Sequence, residues 1–354
     1  MGSREKLNQN ILAIDIGYGS TKVRTESDRF VFPSGYAPFR TQDLGYGSTY
    51  GITVRVKGLG GPEVGPFIVG STAARMTPGY TEPMEALGHS RLSSEDMLPI
   101  LGEAIVRGKL QGDIILSTGG PLDMYAREKA GVQRWAGKTI EVATTDGRVH
   151  TVTITKVLTK PQGIAASIAL SGMGAFPDIP EGEEDMCTLL DIGRKTTDVV
   201  TVLLTQSKIE PIKDLCFSLN LGVGDFLNTV GERLSRVMQG VAPPMPIVED
   251  AVRRGKLKYA GQEYDMIPVV KVAREEKSAQ LTDEVRRKFS EKAGYVRHVI
   301  GTGGGALPLY WGQVFTTLFP GADVLTPAPE DVVYLNVEGY YLFAVHVSTS
   351  AAVV

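Results

Sequence analysis

Asp15-Ile16-Gly17-Tyr18-Gly19-Ser20-Thr21-Lys22 ends the first apolar run of the chain, and Asp191-Ile192-Gly193-Arg194-Lys195-Thr196-Thr197-Asp198 ends another one far downstream. In each case an apolar strand (Ile11-Leu12-Ala13-Ile14 or Thr188-Leu189-Leu190) runs into an aspartate, a glycine lets the chain turn, and a second strand-like segment follows. The order strand, Asp-Ile-Gly turn, strand therefore occurs twice, the pattern of a duplicated design. Glycines in such a turn let backbone amides approach a phosphate, hydroxyls can donate to it, and Lys22 can neutralise it. The first turn alone reads equally well as a tight hairpin with an exposed lysine. It is not a Walker A loop, because the G-x-x-x-x-G-K-[ST] spacing is absent and a strand follows rather than a helix. With a carboxylate at each turn, the pair can organise a hydrated Mg²⁺, which keeps several waters and needs few direct protein ligands.

A third element, Gly301-Thr302-Gly303-Gly304-Gly305-Ala306, follows the strand Val299-Ile300 and precedes a helix expected from Ala306. Its glycines permit close backbone approach, and a helix N-terminus there would favour phosphate. The segment also fits G-x-G-x-x-[GA], with Asp323 placed for a ribose contact. Too little chain follows Gly301, however, to build the sheet that a dinucleotide fold requires.

The segments between these elements alternate in character. Residues 28–85 carry short apolar runs broken by Gly and Pro, which predicts a small sheet-rich subdomain. Ser93-Ser94-Glu95-Asp96 starts a helix carried by Met97, Leu98, Leu101 and Ile105, ending near Gly108 before the strand Ile114-Ile115-Leu116. Residues 139–145 and 149–157 form a hairpin around Asp146-Gly147, and a helix spans Ile164 to Ser171. The acidic, proline-containing stretch 177–185 reads as a solvated loop that divides two lobes. Residues 225–298 read as an inserted, mostly helical subdomain, with Val272, Leu281, Val285 and Phe289 on the apolar side of its charged helix.

At 354 residues the chain exceeds the usual single-core size, so two lobes are expected. Its 42% hydrophobic and 22% charged content is that of an ordinary globular protein, and a net charge of -3 gives no overall pull toward polyanions, although a local basic patch such as Arg253, Arg254, Lys256 and Lys258 can form. Direct nucleic-acid contact is not expected. Cys187 and Cys216 sit among strand-like apolar residues, as buried thiols in a reducing cytoplasm do. No stretch approaches the ~18 apolar residues of a membrane helix, and Met1-Gly2-Ser3-Arg4-Glu5-Lys6 lacks the apolar core of a signal peptide. Position 6 is Lys rather than Ser or Thr, which argues against lipidation of Gly2. These features predict a soluble cytoplasmic protein without a membrane partner.

The two turns and the glycine cluster, in this order and spacing, resemble the two phosphate turns and the adenosine motif of the actin superfamily. Pro161-Gln162-Gly163 resembles its first connecting segment, Asn336-Val337-Glu338-Gly339-Tyr340 its second, and Gly222-Val223-Gly224-Asp225 the loop that approaches ribose and base. Thr118-Gly119-Gly120-Pro121 is similar to the Thr-Gly-x-Pro stretch of prokaryotic actin-like proteins, and the compact length points to the ParM-like and archaeal actin-like group. The departure is Arg194-Lys195, standing where many relatives carry glycines; these residues either add charge near the terminal phosphate or point to solvent.

The resemblance implies an α/β actin-like fold with two ribonuclease-H-like lobes and a nucleotide cleft between them. Lobe I would hold residues 1–161 and 336–354, with the small subdomain at about 28–85. Lobe II would hold 162–335, with the helical insertion at about 213–299. It further implies a slow Mg²⁺-dependent ATPase, with GTP as the alternative nucleotide. Asp15 and Asp191 would organise the metal through water, and Gln162 would orient the attacking water. Nucleotide contacts would come from Gly17, Tyr18, Gly19, Ser20, Thr21 and Lys22; from Gly193, Arg194, Lys195 and Thr196; from Gly222, Gly224 and Asp225; and from Gly301, Gly303, Gly304 and Gly305. The implied partners are further copies of the chain, in nucleotide-controlled filaments, and a DNA-binding adaptor for plasmid or other DNA segregation. A non-polymerising nucleotide switch or a small-molecule kinase on the same fold is the alternative. The short chain lacks both the larger insertions of sugar kinases and the appended substrate domain of heat-shock chaperones.

Overall fold

The computed structural model describes residues 10–39, 51–57, 64–70, 73, 92, 97–240, 243–307 and 314–351. It resolves two compact units, Met1–Met173 with Tyr334–Val354, and Gly174–Val333. The first unit contains β1 (Asn10–Ile16), β2 (Ser20–Arg24), β3 (Arg29–Pro33), β4 (Tyr36–Pro38), β5 (Ile52–Lys57), β6 (Val64–Val69), α1 (Met97–Arg107), β7 (Gly112–Thr118), α2 (Tyr125–Val132), β8 (Thr139–Thr144), β9 (Val149–Thr159) and α3 (Ile164–Gly172). The second contains β10 (Asp185–Ile192), β11 (Thr197–Leu204), β12 (Ile209–Pro211), β13 (Phe217–Leu219), α4 (Val223–Val237), α5 (Met245–Arg254), β14 (Lys256–Tyr259), β15 (Gln262–Asp265), α6 (Ile267–Phe289), β16 (Val296–Thr302), α7 (Val314–Leu318), β17 (Asp323–Leu325) and α8 (Pro329–Val332). The chain then returns to the first unit in α9 (Leu335–Ala351).

One sheet in the order β3-β2-β1-β7-β9-β8-β5-β6-β4 forms the first unit. The described strands of the 28–85 region thus extend this sheet, β3 at one edge and β5, β6 and β4 at the other. Residues 93–96, expected to start a helix, lie outside the described residues. Strand β1 is covered on both faces, which is why it reads as a continuous apolar run. Leu12, Ile14 and Ile16 join the core beneath α1, with Leu101 and Ile105. Ala13 packs instead with Ala165 of α3 and with Val337 and Tyr340 of α9, while Ile11 packs with Ile115 and Ala344.

The second unit's main sheet runs β12-β11-β10-β16-β17, with β13 on β11. Leu190, Ile192 and Val199 enter a core with Phe226 and Val230 of α4, Val248 of α5, and Val285 and Phe289 of α6. The insertion is helical as expected, apart from the β14–β15 hairpin. On α6 the expected apolar set holds at Leu281, Val285 and Phe289, but Val272 is 43% exposed and Ala273 is the buried neighbour. Cys187 is buried in β10, where loss of solvent pushes its thiol up to about 12; burial also raises that of Cys216.

The duplication is visible in the pairing. In the first unit β1 pairs antiparallel with β2 and parallel with β7; in the second, β10 pairs antiparallel with β11 and parallel with β16. Thr118-Gly119-Gly120 and Thr302-Gly303-Gly304 follow from the equivalent parallel strands, so two motifs of similar sequence occupy corresponding places.

Helix α3 belongs to the first unit because it lies along α9, so the division falls after Met173 rather than at the expected 161/162 break. Their approach depends on Gly339, where a Cβ would stand 1.8 Å from the Ala165 carbonyl oxygen. Gly339→Ala is therefore expected to cost about 1–3 kcal/mol through forced separation of the helices, and to lower the thermal midpoint measured by circular dichroism. Gly294→Ala, with nothing within 4 Å of the added carbon, should stay within about 0.5 kcal/mol of the parent.

Candidate functional site

The two turns close in the same way. The Gly17 N–H donates to the Ser20 carbonyl at 3.2 Å, and the Gly193 N–H to the Thr196 carbonyl at 2.8 Å. A Cβ on Gly17 would come within 2.7 Å of that carbonyl oxygen, so the turn requires glycine there. Each turn thereby sets an aspartate at the last-but-one position of its strand.

In the first unit Asp15 is only 3% exposed. It shares the face of Ala13, toward α3 and α9, and stands in register with Lys22 on β2. Both carboxylate oxygens are engaged: the Lys22 Nζ lies 3.6 Å from Oδ2, and the Gln162 Nε2 donates to Oδ1 at 2.7 Å. Gln162 is itself anchored. Its N–H donates to the Gly120 carbonyl at 2.9 Å, and the next residue, Gly163, donates its N–H to Asn336 Oδ1 at 2.9 Å. Gly163 has φ 72°, a conformation that favours glycine and points the chain into α3. Two segments thus meet the carboxylate, β2 through Lys22 and the start of α3 through Gln162, and the loop after β7 and the start of α9 hold the latter in place. Charge-assisted hydrogen bonds of this kind are stronger than neutral ones.

Around this group Gly17, Tyr18, Gly19 and Ser20 are partly exposed, and Tyr18 packs against the core beneath the sheet. Thr21 differs from expectation. Its side chain is fully buried and its hydroxyl bonds the Ser34 hydroxyl at 2.9 Å, so it braces β2 and is not presented for donation to a phosphate. The cause is strand alternation: Ser20 and Lys22 fall on one face, Thr21 on the other.

In the second unit Asp191 is 7% exposed and stands in register with Asp198, where the first turn has Lys22. Asp198 is buried and accepts a short hydrogen bond from the Ser218 hydroxyl. Two carboxylates thus share one face of neighbouring strands, an arrangement that raises the local demand for positive charge. The glycine cluster packs onto this strand end. Gly303 has φ 75°, and a Cβ there would be 2.5 Å from Asp191 Oδ1; at Gly305 it would be 2.3 Å from Ile192 Cγ2, whereas Gly304 meets nothing within 4 Å. Residues 304–306 make a single 3-10 turn and Leu307 is extended, with ψ 143°; the continuation of the helix expected from Ala306 lies outside the described residues. The cluster's visible contribution is close backbone packing against the end of β10.

The Gly222–Asp225 segment begins α4 against the second turn. Val223 N–H donates to the Gly193 carbonyl at 3.0 Å and Gly224 N–H to the Arg194 carbonyl at 2.6 Å, while Asp225 Oδ2 accepts from the Gly222 N–H at 2.9 Å and caps the helix. Lys195 is exposed and Thr196 partly buried. Arg194 does not simply point to solvent: its Nη1 donates to Glu249 Oε2 of α5 at 2.9 Å. Sequence reading passed over Glu249, Ser34 and the facing of Asp198 on Asp191. Of these only Asp198 left a legible signal, through its position opposite the first turn's lysine in the repeat. Among the described residues no group of three His, Cys, Asp or Glu side chains is placed to hold a metal by itself, and no helix is long and apolar enough to cross a membrane.

Two family models match the chain: the actin-like protein N-terminal domain over residues 13–164 and the archaeal actin homologue MreB-like C-terminal domain over 189–310. An archaeal actin homologue of Thermoplasma volcanium is 26% identical over 340 residues, covering 93% of this chain and 97% of that protein. The crystal structure of an archaeal actin homologue in complex with ADP superposes with a TM-score of 0.78 at 24% identity, covering 96% of this chain and all of that one. A 15-stranded ParM filament from Clostridium botulinum gives a TM-score of 0.79 at 18% identity, with the same coverage. The structural likenesses establish the fold, and the two models follow each other along most of the chain. With the repeated strand, turn and strand units already traced, this chain belongs to the actin-like proteins, the family that both models describe.

Proposed function

We propose that the protein binds and slowly hydrolyses ATP with Mg²⁺, and that nucleotide state controls its assembly into filaments. The observation that carries this reading is the buried Asp15 carboxylate with Lys22 on one oxygen and Gln162 on the other. An ADP complex of a related archaeal protein supports the nucleotide assignment, and the ParM filament supports self-association.

The donor chemistry suits magnesium. Asp15 and Asp191 offer hard oxygen ligands, few in number, as a hydrated Mg²⁺ requires. When bound, the ion would neutralise charge on the terminal phosphates. The remaining roles fall to the chain. Gly17, Tyr18, Gly19 and Ser20, with Gly193, Arg194, Lys195 and Thr196, would supply backbone and side-chain contacts to phosphate, and Lys22 a positive charge. Gly222, Gly224, Asp225 and the cluster Gly301, Gly303, Gly304 and Gly305 would border the nucleoside. Because the Gln162 Nε2 donates to Asp15, the amide's carbonyl oxygen is the end left to accept a hydrogen bond from the attacking water and so orient it. Phosphoryl transfer passes through a loose transition state, so positioning and charge neutralisation supply most of the catalysis, and a neutral amide suits slow turnover. Slow turnover lets a polymer persist before it disassembles. Through a DNA-binding adaptor, such a polymer would move plasmid or other DNA.

Light scattering and sedimentation with ATP, ADP or no nucleotide test the assembly claim. Polymer is expected with Mg²⁺-ATP and much less with ADP; ATP turnover without sedimenting polymer across salt and Mg²⁺ concentrations would show a switch or kinase instead. Gln162→Ala is expected to slow hydrolysis by about 10²-fold or more, the scale of a lost positioning or electrostatic contact, with ATP affinity within about threefold of the parent. Unchanged turnover in a single-turnover assay would remove Gln162 from its role.

A further inference from the structure

Arg194 follows the glycine of the second turn, and the structure gives it a partner that the proposed activity does not use. Its backbone carbonyl takes the Gly224 N–H at 2.6 Å, and a Cβ on Gly222 or Gly224 would meet the Arg194 carbonyl oxygen at 2.6 or 2.9 Å, so the peptide is fixed against the start of α4. The guanidinium, by contrast, reaches α5 in an ion pair with Glu249 at 2.9 Å, the two side chains being 17% and 27% exposed. Such partly solvated pairs are weak. Glu249 has a second arginine at hand as well: Arg253 Nη2 lies 4.0 Å from its other oxygen, Oε1. If Arg194 leaves, the carboxylate keeps a cation beside it. A rigid backbone, a side chain held by a weak pair and an acceptor with a replacement partner are together the requirements of an exchangeable contact.

Resting on the nucleotide reading above, we infer that Arg194 is a specificity-determining residue that exchanges Glu249 for the terminal phosphate of a nucleoside triphosphate and so distinguishes triphosphate from diphosphate. The guanidinium makes planar, paired hydrogen bonds to phosphate that outcompete a single contact to a partly solvated carboxylate. A diphosphate, one phosphate shorter, leaves Arg194 on Glu249. Glu249 is the competing anion, and its effect is opposite in sign to that of Arg194. Removing Arg194 should weaken triphosphate binding selectively, while removing the charge of Glu249 should strengthen it.

The test is equilibrium binding of Mg²⁺-ATP and Mg²⁺-ADP by calorimetry to the full chain, Arg194→Met, Glu249→Gln and the double variant, each checked for an unchanged circular dichroism spectrum. The ratio of ATP to ADP affinity is expected to fall about tenfold in Arg194→Met. It should rise about two- to fivefold in Glu249→Gln, the range of a weak surface pair, and the double variant should match Arg194→Met. A ratio unmoved by Glu249→Gln, or ATP and ADP weakened equally by Arg194→Met, overturns the inference. Should Arg194→Met fail to fold, the near-isosteric Glu249→Gln decides alone. Parent protein that binds neither nucleotide overturns the nucleotide reading and this inference with it, whereas parent protein that binds both with a ratio insensitive to the variants overturns only the inference.

Discussion

The Asp15 carboxylate is buried at the end of a strand covered on both faces, and a charge in that position is tolerable only if its oxygens are paired. The fold meets this demand from three directions. The hairpin brings Lys22 into register beside it, the first helix crossing brings Gln162 above it, and the turn glycine makes the hairpin tight enough to align the pair. Removing Lys22 or Gln162 would leave part of a carboxylate unsatisfied in a site that excludes most water. The groups assigned to chemistry are thus the same ones that make the first unit's architecture electrostatically consistent.

The position of Gln162 follows from the packing of α3 on α9. Gly339 allows the helices to approach to backbone contact at Ala165, and that proximity lets Asn336, at the start of α9, accept the Gly163 N–H at the start of α3. A helix start would otherwise leave such an amide unpaired. The asparagine therefore links the two connecting segments at the point where one of them delivers the glutamine. Any change in the helix crossing would be transmitted to Gln162 through a single bond and a glycine with positive φ.

Much of this was legible in the sequence because repetition exposes it. The Asp-Ile-Gly turns and their flanking strands are local patterns, and each formed as read. What the sequence did not disclose depends on partners far away in the chain. Thr21 reads as a phosphate hydroxyl until alternation along β2 turns it toward Ser34. The close packing of Gly303 and Gly305 on Asp191 and Ile192 is likewise set by a strand more than a hundred residues earlier. The acidic loop at 177–185 lies close to the observed division after Met173, whereas the 161/162 break implied by the resemblance misses it, because membership of a unit is decided by burial of α3 against α9.

The two turns share backbone geometry but differ in charge. At the register position where the first turn presents Lys22 to Asp15, the second presents Asp198 to Asp191. The first turn is therefore internally neutralised before any ligand arrives, while the second carries facing carboxylates, with hydrogen bonding from Ser218 offsetting part of their repulsion. The second turn carries its cations beyond the glycine instead, at Arg194 and Lys195, and the ion pair of Arg194 with Glu249 ties one of them to α5.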